Sequence, residues 1–401
     1  MNKQNWTYKK LGEVCTIERG GSPRPINEYI TDDPNGLNWI KIGDAKEGSK
    51  YITSTKEKIK PEGLKKTRFV HKGDFILSNS MSFGKPYILE IDGCIHDGWL
   101  VIHDDNNTFD KSFLYYLLGS PNMYMEFQRL AVGGVVNNLN SEIVRNVVIP
   151  VPPLSTQSRI VSELDLLQSL IDKQKAQLKE LDTLAQSIFY DMFGDPVENE
   201  KGWEVKKLKY LSSLITNGTT PKGGAEVYVD DGILFLRSQN VWRNRIEFDD
   251  IAHIDAKTNA KMYKSVLHHN DILITKTGRI NTENSSLGRA ALFTGQTGTA
   301  NINGHVYLIR LLDGVSHIFI IQILTSQAYR EYIRKVCVGG IDKRQINKEQ
   351  VDDFPIILPP LSLQQSYANK IEAIEKQKSA ISKSIAETEK LFEYTMDKYF
   401  G

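Results

Sequence analysis

The feature that most constrains the fold of this chain is an internal repeat whose period is about half of its 401 residues. The motif Trp-x-x-Lys-Lys-Leu opens each half, at 6–11 and 203–208. The motif Pro-Pro-Leu-Ser-x-Gln comes later in each half, at 152–157 and 359–364. Because a repeated order of motifs indicates one structural unit present twice, the sequence predicts two similar domains, each followed by a similar segment.

The second copy is longer than the first by about nine residues. Trp203 lies 197 residues after Trp6, whereas Val338 of the second Gly-Gly motif lies 206 residues after Val132 of the first. Most of the extra residues fall just after Ile274, where the segment Lys-Thr-Gly-Arg-Ile-Asn has no counterpart in the first copy. An insertion inside a repeat usually forms a loop, often on the binding face, and we expect the same here.

The first part of each copy mixes short apolar runs typical of strands with Gly, Pro and Asn turns. A single helical stretch is predicted in each, over 112–129 and 315–336, so this part is expected to be a compact α/β domain. The predicted segments are domain 1 at 1–153, a helix at 154–193, a linker at 194–202, domain 2 at 203–360 and a second helix at 361–401.

The predicted helices are long, and each has an apolar seam at alternating intervals of four and three residues, which is the heptad spacing of a coiled coil. The seam of the first helix contains Ile160, Leu164, Leu167, Ile171, Gln174, Leu178, Leu181, Ala185, Ile188 and Met192. The seam of the second contains Tyr367, Ile371, Ile374, Lys378, Ile381, Ile385, Thr388, Phe392, Thr395 and Tyr399. Chain order then requires an antiparallel pair. The predicted fold class is α+β, with two repeated α/β domains held apart by two long antiparallel coiled-coil helices and related by a pseudo-two-fold axis.

Several protein classes are excluded by simple counts. The three cysteines are far apart and odd in number, which argues against a disulfide framework or a thiolate metal site. Residues 1–15 lack the apolar core of a signal peptide, and the most apolar stretch, 318–324, is too short to span a bilayer. The chain is therefore expected to be cytoplasmic and to have no membrane partner.

Motifs for catalysis are weak. Residues 43–49 have the glycine spacing of a phosphate-binding loop but have serine where the essential lysine is needed. Asp195, Glu204 and Lys206 resemble the Asp…Glu-x-Lys arrangement of metal-dependent nucleases. The first copy has Thr7-Tyr8-Lys9 at the matching position, without a carboxylate, so we expect no catalytic residues and no metal site in this chain.

Binding chemistry is better represented, because a basic segment recurs in both copies. Residues 41–72 contain ten basic and four acidic residues, and residues 257–289 contain six and two, although the net charge of the whole chain is only +1. Such patches neutralise phosphates, and nearby polar loops can hydrogen-bond to base edges. The candidate DNA-binding residues are Ser22, Arg24, Ser80, Ser82, Lys85, Asn137, Asn138, Thr220, Lys222, Lys276, Arg279, Asn281, Lys343 and Arg344.

With these motifs in order, the chain resembles the DNA-specificity subunit of type I restriction-modification systems over almost its whole length. The resemblance rests on the opening motif, the turn Gly20–Pro23 and its partner at 217–221, the Gly-Asp-x-Ile-Leu-like strand, the Gly-Gly loop, and Pro-Pro-Leu-Ser-x-Gln before a long helix. The second helix departs from an apolar seam at Lys378, Thr388 and Thr395, which suggests a contact surface different from that of the first helix.

The resemblance implies two target recognition domains, each reading one half of a bipartite double-stranded DNA site. It implies that the helices separate these domains and dock two modification subunits, which bind S-adenosylmethionine and methylate adenine at N6. Restriction subunits that hydrolyse ATP with Mg²⁺ would join the complex, and this chain itself would carry no cofactor. Two alternatives remain at this stage: a coiled-coil scaffold that binds only protein, and a metal-dependent nuclease that uses Asp195, Glu204 and Lys206.

Overall fold

A computed structural model describes residues 6–46, 48–79, 84–131, 139–280, 282, 284–340 and 342–401. The chain divides into two compact units. Unit 1 comprises Met1–Lys175 together with Lys383–Gly401, and unit 2 comprises Ala176–Ser382. Each unit therefore contains one repeat domain together with part of each long helix.

Unit 1 begins with a strand-rich segment that ends in three helices, one strand and the first long helix. Its elements are β1 (Thr7–Lys10), α1 (Leu11–Val14), β2 (Thr16–Arg19), β3 (Ile30–Thr31), β4 (Leu37–Ile40), β5 (Tyr51–Ile52), β6 (Glu57–Ile59), β7 (Arg68–Val70), β8 (Phe75–Ser78), β9 (Pro86–Leu89), β10 (Gly93–Ile95), β11 (Trp99–His103), α2 (Lys111–Leu118), α3 (Pro121–Ala131), α4 (Ser141–Asn146), β12 (Val148–Val151) and α5 (Leu154–Phe193). Helix α5 continues into unit 2.

Unit 2 follows the same general order, with one strand fewer in each of its two main sheets and with α6, β19, β23 and β24 as further described elements. The elements of unit 2 are β13 (Glu204–Lys207), β14 (Ser212–Asn217), β15 (Tyr228–Val229), β16 (Ile233–Leu236), β17 (Ala252–Ile254), α6 (Ala256–Lys261), β18 (Ile272–Thr275), β19 (Thr277–Gly278), β20 (Ala290–Leu292), β21 (Ala300–Ile302), β22 (Val306–Leu311), α7 (His317–Thr325), α8 (Gln327–Val336), β23 (Val338–Gly339), β24 (Arg344–Gln345), α9 (Lys348–Asp352), β25 (Pro355–Leu358) and α10 (Leu361–Phe400). Helix α10 continues into unit 1.

The described strands of the two units pair in the same order. In unit 1 the sheets run β2-β11-β8-β9-β5, β3-β6-β4-β10-β7 and β1-β12. In unit 2 they run β14-β22-β18-β20, β15-β17-β16-β21 and β13-β25, with an additional sheet β19-β24-β23. The predicted α+β class, with two repeated α/β domains and two long helices, is confirmed.

The central strands are apolar at consecutive positions because both of their faces are covered. In β8, Phe75 and Leu77 belong to one hydrophobic core, whereas Ile76 between them belongs to another. Strand β18 does the same, since Ile272 and Ile274 face one core and Leu273 faces the other. Alternating side chains of a strand point to opposite faces, so these continuous apolar runs supply two cores at once.

The helical stretch predicted in each domain is in fact two helices, and this part of the expectation was wrong. In unit 1 the break lies at Gly119-Ser120, just before Pro121 begins α3, because proline is favoured in a first helical turn and disfavours helix before it. In unit 2 the break lies at Ser326, whose hydroxyl accepts a hydrogen bond from the backbone N–H of Tyr329 and caps α8.

The predicted heptad seams are buried or half-buried along both long helices, whereas most flanking positions are exposed. Within unit 1, Glu163 of α5 bonds to Lys398 and Tyr399 of α10, and Lys175 pairs with Glu389 at 2.8 Å. Within unit 2, Asp182 of α5 pairs with Lys378 of α10. Residue numbers rise along one helix as they fall along the other, so the helices pair antiparallel in each unit, as predicted.

Aromatic side chains anchor each domain to the long helices. In unit 1, Phe113 of α2 contacts Phe400 of α10, with ring centroids 5.5 Å apart. In unit 2, Phe319 of α7 contacts Phe193 of α5 at 4.8 Å, and Phe193 also meets Tyr367 of α10 at 5.4 Å. Phe193 and Phe400 stand at matching positions of the repeat, so the same aromatic contact closes both cores.

The glutamine of Pro-Pro-Leu-Ser-x-Gln ties the start of each long helix to its domain. Gln157 is fully buried; its side-chain amide donates to the carbonyl oxygens of Thr108 and Pro152, both at 2.9 Å. Its side-chain oxygen accepts from the backbone N–H of Asp110 at 2.8 Å. In unit 2, Gln364 donates in the same way to the carbonyl oxygen of Pro359 at 2.9 Å.

Replacing Gln157 with leucine is therefore expected to lower the free energy of unfolding. Buried backbone groups left without partners typically destabilise a protein by about 1–3 kcal/mol. Urea denaturation followed by circular dichroism measures the change. Gln177→Leu, at an exposed position of the same helix, is the matched control and is expected to be near neutral. Equal stability of the two variants would show that the Gln157 hydrogen bonds are not structural.

Candidate nucleic-acid interface

A glycine turn directly after strand β2 positions the first group of predicted contacts in unit 1. The backbone N–H of Gly20 donates to the carbonyl oxygen of Trp99 at 2.9 Å. A Cβ atom on Gly20 would overlap the carbonyl oxygen of His96, so only glycine fits. The turn directs the Ser22 hydroxyl to the Asp97 carboxylate at 2.7 Å. This hydrogen bond is the main reason that the pKa of Asp97 is lowered, which favours its ionised form.

Arg24 follows this turn and reaches solvent. Its guanidinium group lies 4.0 Å from the Asp97 carboxylate, and 84% of the side chain is exposed. Ser22 and Arg24 line a groove together with the half-buried Lys41, whose ammonium group bonds to Glu57. Two predicted residues therefore lie side by side, and Arg24 is the one whose charge is open to a ligand.

Unit 2 has the same turn with different side chains. The N–H of Gly218 donates to the carbonyl oxygen of Val306 at 3.1 Å, and a Cβ atom on Gly218 would overlap the carbonyl oxygen of Ile302. Thr220 lies beside Gly304, which takes the place that Asp97 has in unit 1. Thr220 and Lys222 are both exposed. The second turn thus has glycine in place of the carboxylate at this point and presents the exposed side chain of Lys222.

A second shared turn places Lys85. In unit 1 the backbone N–H of Ser78 donates to the carbonyl oxygen of Lys85 at 2.9 Å, and the Lys85 N–H donates to the Ser78 hydroxyl at 2.9 Å. In unit 2, Thr275 and Arg289 have the same bonds, with the Arg289 N–H donating to the Thr275 hydroxyl at 2.9 Å. The Lys85 side chain is exposed, whereas the Arg289 side chain is buried.

The inserted segment and the Gly-Gly loop of unit 2 meet in the sheet β19-β24-β23. Gly278 pairs with Arg344, and Gly339 pairs with the same residue from the other side. The backbone N–H of Ile346 donates to the carbonyl oxygen of Lys276 at 2.9 Å. Part of the segment expected to be a loop is therefore a strand. The structure brings together four predicted residues from two distant segments: Lys276, Arg279, Lys343 and Arg344.

Many basic residues of the 41–72 segment have partners within the protein. The Lys58 ammonium donates to the carbonyl oxygen of Pro34 at 2.7 Å, and Lys60 donates to that of Glu28 at 2.8 Å. Further internal partners are found for Lys41, Lys50, Lys66 and Arg68. Part of the predicted positive charge therefore stabilises loops of unit 1 through these internal bonds.

Five predicted contacts, Ser80, Ser82, Asn137, Asn138 and Asn281, lie outside the described residues. One basic element was missed by the sequence analysis. The turn Trp242–Arg245 carries Arg243 and Arg245, both exposed, on the loop after β16. Two arginines that flank an asparagine after a strand are a signal that the sequence contains, but they precede the predicted basic segment, which begins at residue 257.

The residues of the nuclease hypothesis have structural partners. The Asp195 carboxylate accepts hydrogen bonds from the backbone N–H groups of Val197 and Glu198 at 2.8 and 3.1 Å. Glu204 and Lys206 form an exposed ion pair of 3.3 Å on β13. In the part of the chain that the structure describes, no three His, Cys, Asp or Glu side chains are grouped to hold a metal ion. The described helices also include none with the length and apolarity of a membrane span.

The family model of the type I restriction modification DNA specificity domain matches this chain twice, at residues 3–183 and 200–390. The two matches together cover most of the chain. The chain belongs to this family. The type I restriction enzyme MjaIX specificity subunit of Methanocaldococcus jannaschii is 25% identical over 296 residues, 69% of this chain and 67% of that protein. The MjaVIII specificity subunit of the same organism is 21% identical over 412 aligned residues, which cover 95% of this chain and 90% of that protein.

A solved structure, from a study of complex assembly and conformational transition of the type I R-M system, has the same fold as this specificity-domain protein. The TM-score is 0.62 at 19% identity, over 99% of this chain and 97% of the other. The structure thus shares the fold, and the predicted family resemblance is confirmed by the match to the family model.

For this specificity-domain protein, replacing Lys343 and Arg344 together with alanine is expected to weaken DNA binding. Each lost phosphate contact reduces the magnitude of the slope of log affinity against log salt concentration by about one. A lost base contact instead reduces the preference for the correct base at one position of the site by about 1–3 kcal/mol. Fluorescence anisotropy at several salt concentrations separates these effects.

The matched control replaces Lys58 and Lys60, whose ammonium groups are bonded within unit 1. We expect a smaller loss of affinity from this pair. If the Lys343 and Arg344 variant bound DNA as tightly as the parent protein, the β23–β24 loop would not belong to the interface.

Proposed function

We propose that this chain is the DNA-recognition subunit of a type I restriction-modification complex, in which each repeat domain reads one half of a bipartite double-stranded site. The observation that carries the proposal is one strand framework, present twice, with different side chains at matching positions. Ser22 beside Asp97 in unit 1 corresponds to Thr220 beside Gly304 in unit 2. Two copies of one framework with different polar groups suit two different base sequences.

Recognition in this scheme divides between two kinds of side chain. Exposed cations such as Arg24, Lys222 and Lys343 contact phosphates and fix the position of each domain on the duplex. Hydroxyl and guanidinium groups on the same loops, including Thr220 and Arg344, reach base edges and supply sequence preference. The domain boundaries of this proposal are 1–153 and 203–360.

The long helices are proposed to dock the modification subunits. In unit 1 four apolar side chains remain exposed on one side of the helix pair: Leu166, Leu170, Leu391 and Tyr394. The first two occupy heptad positions c and g of α5, and the last two occupy g and c of α10. In an antiparallel pair the g positions of both helices lie on the same side, as the ion pair between Glu163 and Lys398 shows. Such a patch is typical of a protein interface.

Methyl transfer and DNA cleavage are assigned to the partner subunits in this proposal. The relatives at 25% and 21% identity carry the name specificity subunit. S-adenosylmethionine would bind to the modification subunits, whereas ATP and Mg²⁺ would bind to the restriction subunits. This chain would then contribute the DNA site and the docking surface.

Exchange of residues 203–358 for the corresponding domain of another family member is expected to change only one half of the recognised site. The physical reason is that each unit has its own core and its own polar loops. Single-molecule methylation mapping of cells that carry the hybrid complex measures both halves. A change in both halves would contradict the assignment of one half-site to each domain.

Introducing glutamate at Leu166 and Tyr394 is expected to reduce binding of the modification subunits at least tenfold while DNA binding by the chain alone is retained. Burying two carboxylates in an apolar contact is strongly unfavourable. Ala386→Glu is the matched control, because Ala386 is exposed at heptad position b of α10, away from the patch. Size-exclusion chromatography with light scattering measures assembly. Normal assembly of the double variant would show that the patch is not the docking surface.

A further inference from the structure

A half-buried histidine, His96, lies directly after strand β10 and lines the groove that also contains Ser22 and Arg24. Its backbone N–H donates to the carbonyl oxygen of Ile40 at 3.2 Å, and its own carbonyl oxygen accepts from the N–H of Trp99 at 3.1 Å. These partners belong to strands β4 and β11. The backbone of His96 is therefore held by two strands of unit 1.

Side chains from two other segments hold the turn 96–98 in place. The carbonyl oxygen of Asp97 accepts from Nε of Arg19 at 3.0 Å and from the side-chain amide of Asn79 at 2.9 Å. The Asp97 carboxylate accepts from the Ser22 hydroxyl at 2.7 Å. The turn that carries His96 is thus bonded directly to the glycine turn that carries two of the predicted DNA contacts.

The imidazole ring of His96 is confined between an aromatic side chain and the backbone of its own turn. The ring of Trp39 meets it edge to face, with ring centroids 6.1 Å apart. A Cβ atom on Gly98 would lie 2.2 Å from Cε1 of His96, so only glycine leaves room for the ring. A side chain confined in this way loses little conformational freedom when a ligand binds.

A hydrogen bond inside the turn determines which ring nitrogen of His96 carries the proton. The backbone N–H of Gly98 donates to Nδ1 at 2.8 Å, so the neutral ring carries its proton on Nε2. Burial, which outweighs the carboxylates of Asp97 and Asp44, lowers the pKa of His96. At neutral pH the ring is therefore uncharged and offers one N–H donor.

That donor is open to a ligand in the groove. None of the described residues accepts a hydrogen bond from Nε2 of His96, and the residue lines the groove. Arg24 lines the same groove with 84% of its side chain exposed. A cation beside a neutral donor suits a nucleotide, because its phosphate is charged and its base is neutral.

Unit 2 has the same turn with a different side chain, Asn303, at the position of His96. The N–H of Asn303 donates to the carbonyl oxygen of Leu236 at 3.0 Å, and its carbonyl oxygen accepts from the N–H of Val306 at 3.1 Å. Oδ1 of Asn303 accepts from the backbone N–H of His305 at 3.0 Å, as Nδ1 of His96 does in its own turn.

The two side chains share a role in the turn but present different groups beyond it. Each uses an acceptor to close its turn and keeps N–H groups for a ligand. The carboxamide of Asn303 has two N–H groups and a second lone pair on Oδ1, whereas the imidazole of His96 has one N–H. Different donor and acceptor sets at one framework position suit two domains that read different bases.

We propose that His96 is a specificity-determining residue of unit 1, whose Nε2–H group donates to an acceptor atom on the edge of one base in the half-site read by this unit. The assignment rests on the proposed DNA-recognition function and names the residue that reads one position. An uncharged donor distinguishes base edges by where their acceptors lie and adds no attraction for phosphates. Arg24 supplies that attraction at the same groove.

Selection of bound sites from a random duplex library by the full-length chain tests this assignment. His96→Ala is expected to reduce the base preference at one position of one half-site by about two- to tenfold, the usual contribution of one hydrogen bond. The affinity for a random-sequence duplex and its salt dependence are expected to stay parental, because the lost group is uncharged. Equal weakening on every sequence, or unchanged preference at every position, would overturn the base contact.

Two further variants separate the donor from the fold. His96→Phe keeps a ring against Trp39 but has no N–H, so we expect the same loss of preference. His96→Asn restores an acceptor for the Gly98 N–H, as in unit 2, and is expected to change the preference at that position rather than abolish it. Retention of the parental preference by His96→Phe would overturn the role of the donor.

The matched control is His71→Ala, at an exposed histidine of unit 1 outside the groove. We expect this variant to keep the preference at every position. Thermal midpoints of all variants report whether the fold is intact. Loss of the same preference in His71→Ala would show that the effect does not come from the groove.

The two proposals can fail separately. If the parent chain selected a bipartite site and every His96 variant selected the same site, DNA recognition would stand and the role of His96 would fall. If the parent chain selected no site, the proposed function would fall first. Asn303→Ala adds a check on the assignment to units, since it is expected to alter only the other half-site.

Discussion

Aromatic contacts at the ends of the two long helices complete the core of each unit, and the remaining structure depends on them. Phe400 packs on Phe113 in unit 1, and Phe193 packs on Phe319 in unit 2. Neither core is closed by the residues of its own repeat domain alone. The start of each long helix is fixed by a buried glutamine, Gln157 or Gln364. The helices are thus structural parts of both units rather than connectors between them.

A fixed core of this kind divides the chain into positions that must be preserved and positions that are open to change. Strands β8 and β18 are buried on both faces, so their side chains are determined by packing. Gly20 and Gly218 are required because a Cβ atom would overlap a carbonyl oxygen. Ser22 and Thr220, two residues further on, face different groups in the two units. Variation in what is recognised can therefore accumulate at the turns without disturbing the sheets.

The elements that depend on local periodicity or on repeated motifs were predictable from the sequence. The heptad spacing predicted both long helices and their seams, and the repeat predicted two similar domains. The break in the helical stretch of unit 1 is marked in the sequence by Pro121, whereas the break in unit 2 was missed because a capping serine, Ser326, is an ordinary residue until its partner is known. The internal bonds of Lys58 and Lys60 were equally invisible, since their partners Pro34 and Glu28 lie more than 20 residues away. Aligning the two copies matches Arg289 with Lys85, but the alignment does not show that the Arg289 side chain is buried.

The composition of unit 1 has a consequence for how the protein is made. Its core takes in residues 383–401, which are synthesised more than 200 residues after the other part of the unit, which ends at Lys175. Domains usually fold in order as the chain leaves the ribosome. Here the core of unit 1 cannot be completed until residues 383–401 have been synthesised. Until then, the surface that Met396, Tyr399 and Phe400 later cover is exposed to water. A product of interrupted translation would keep that apolar surface uncovered, which marks it for chaperones and proteases before it can join any assembly.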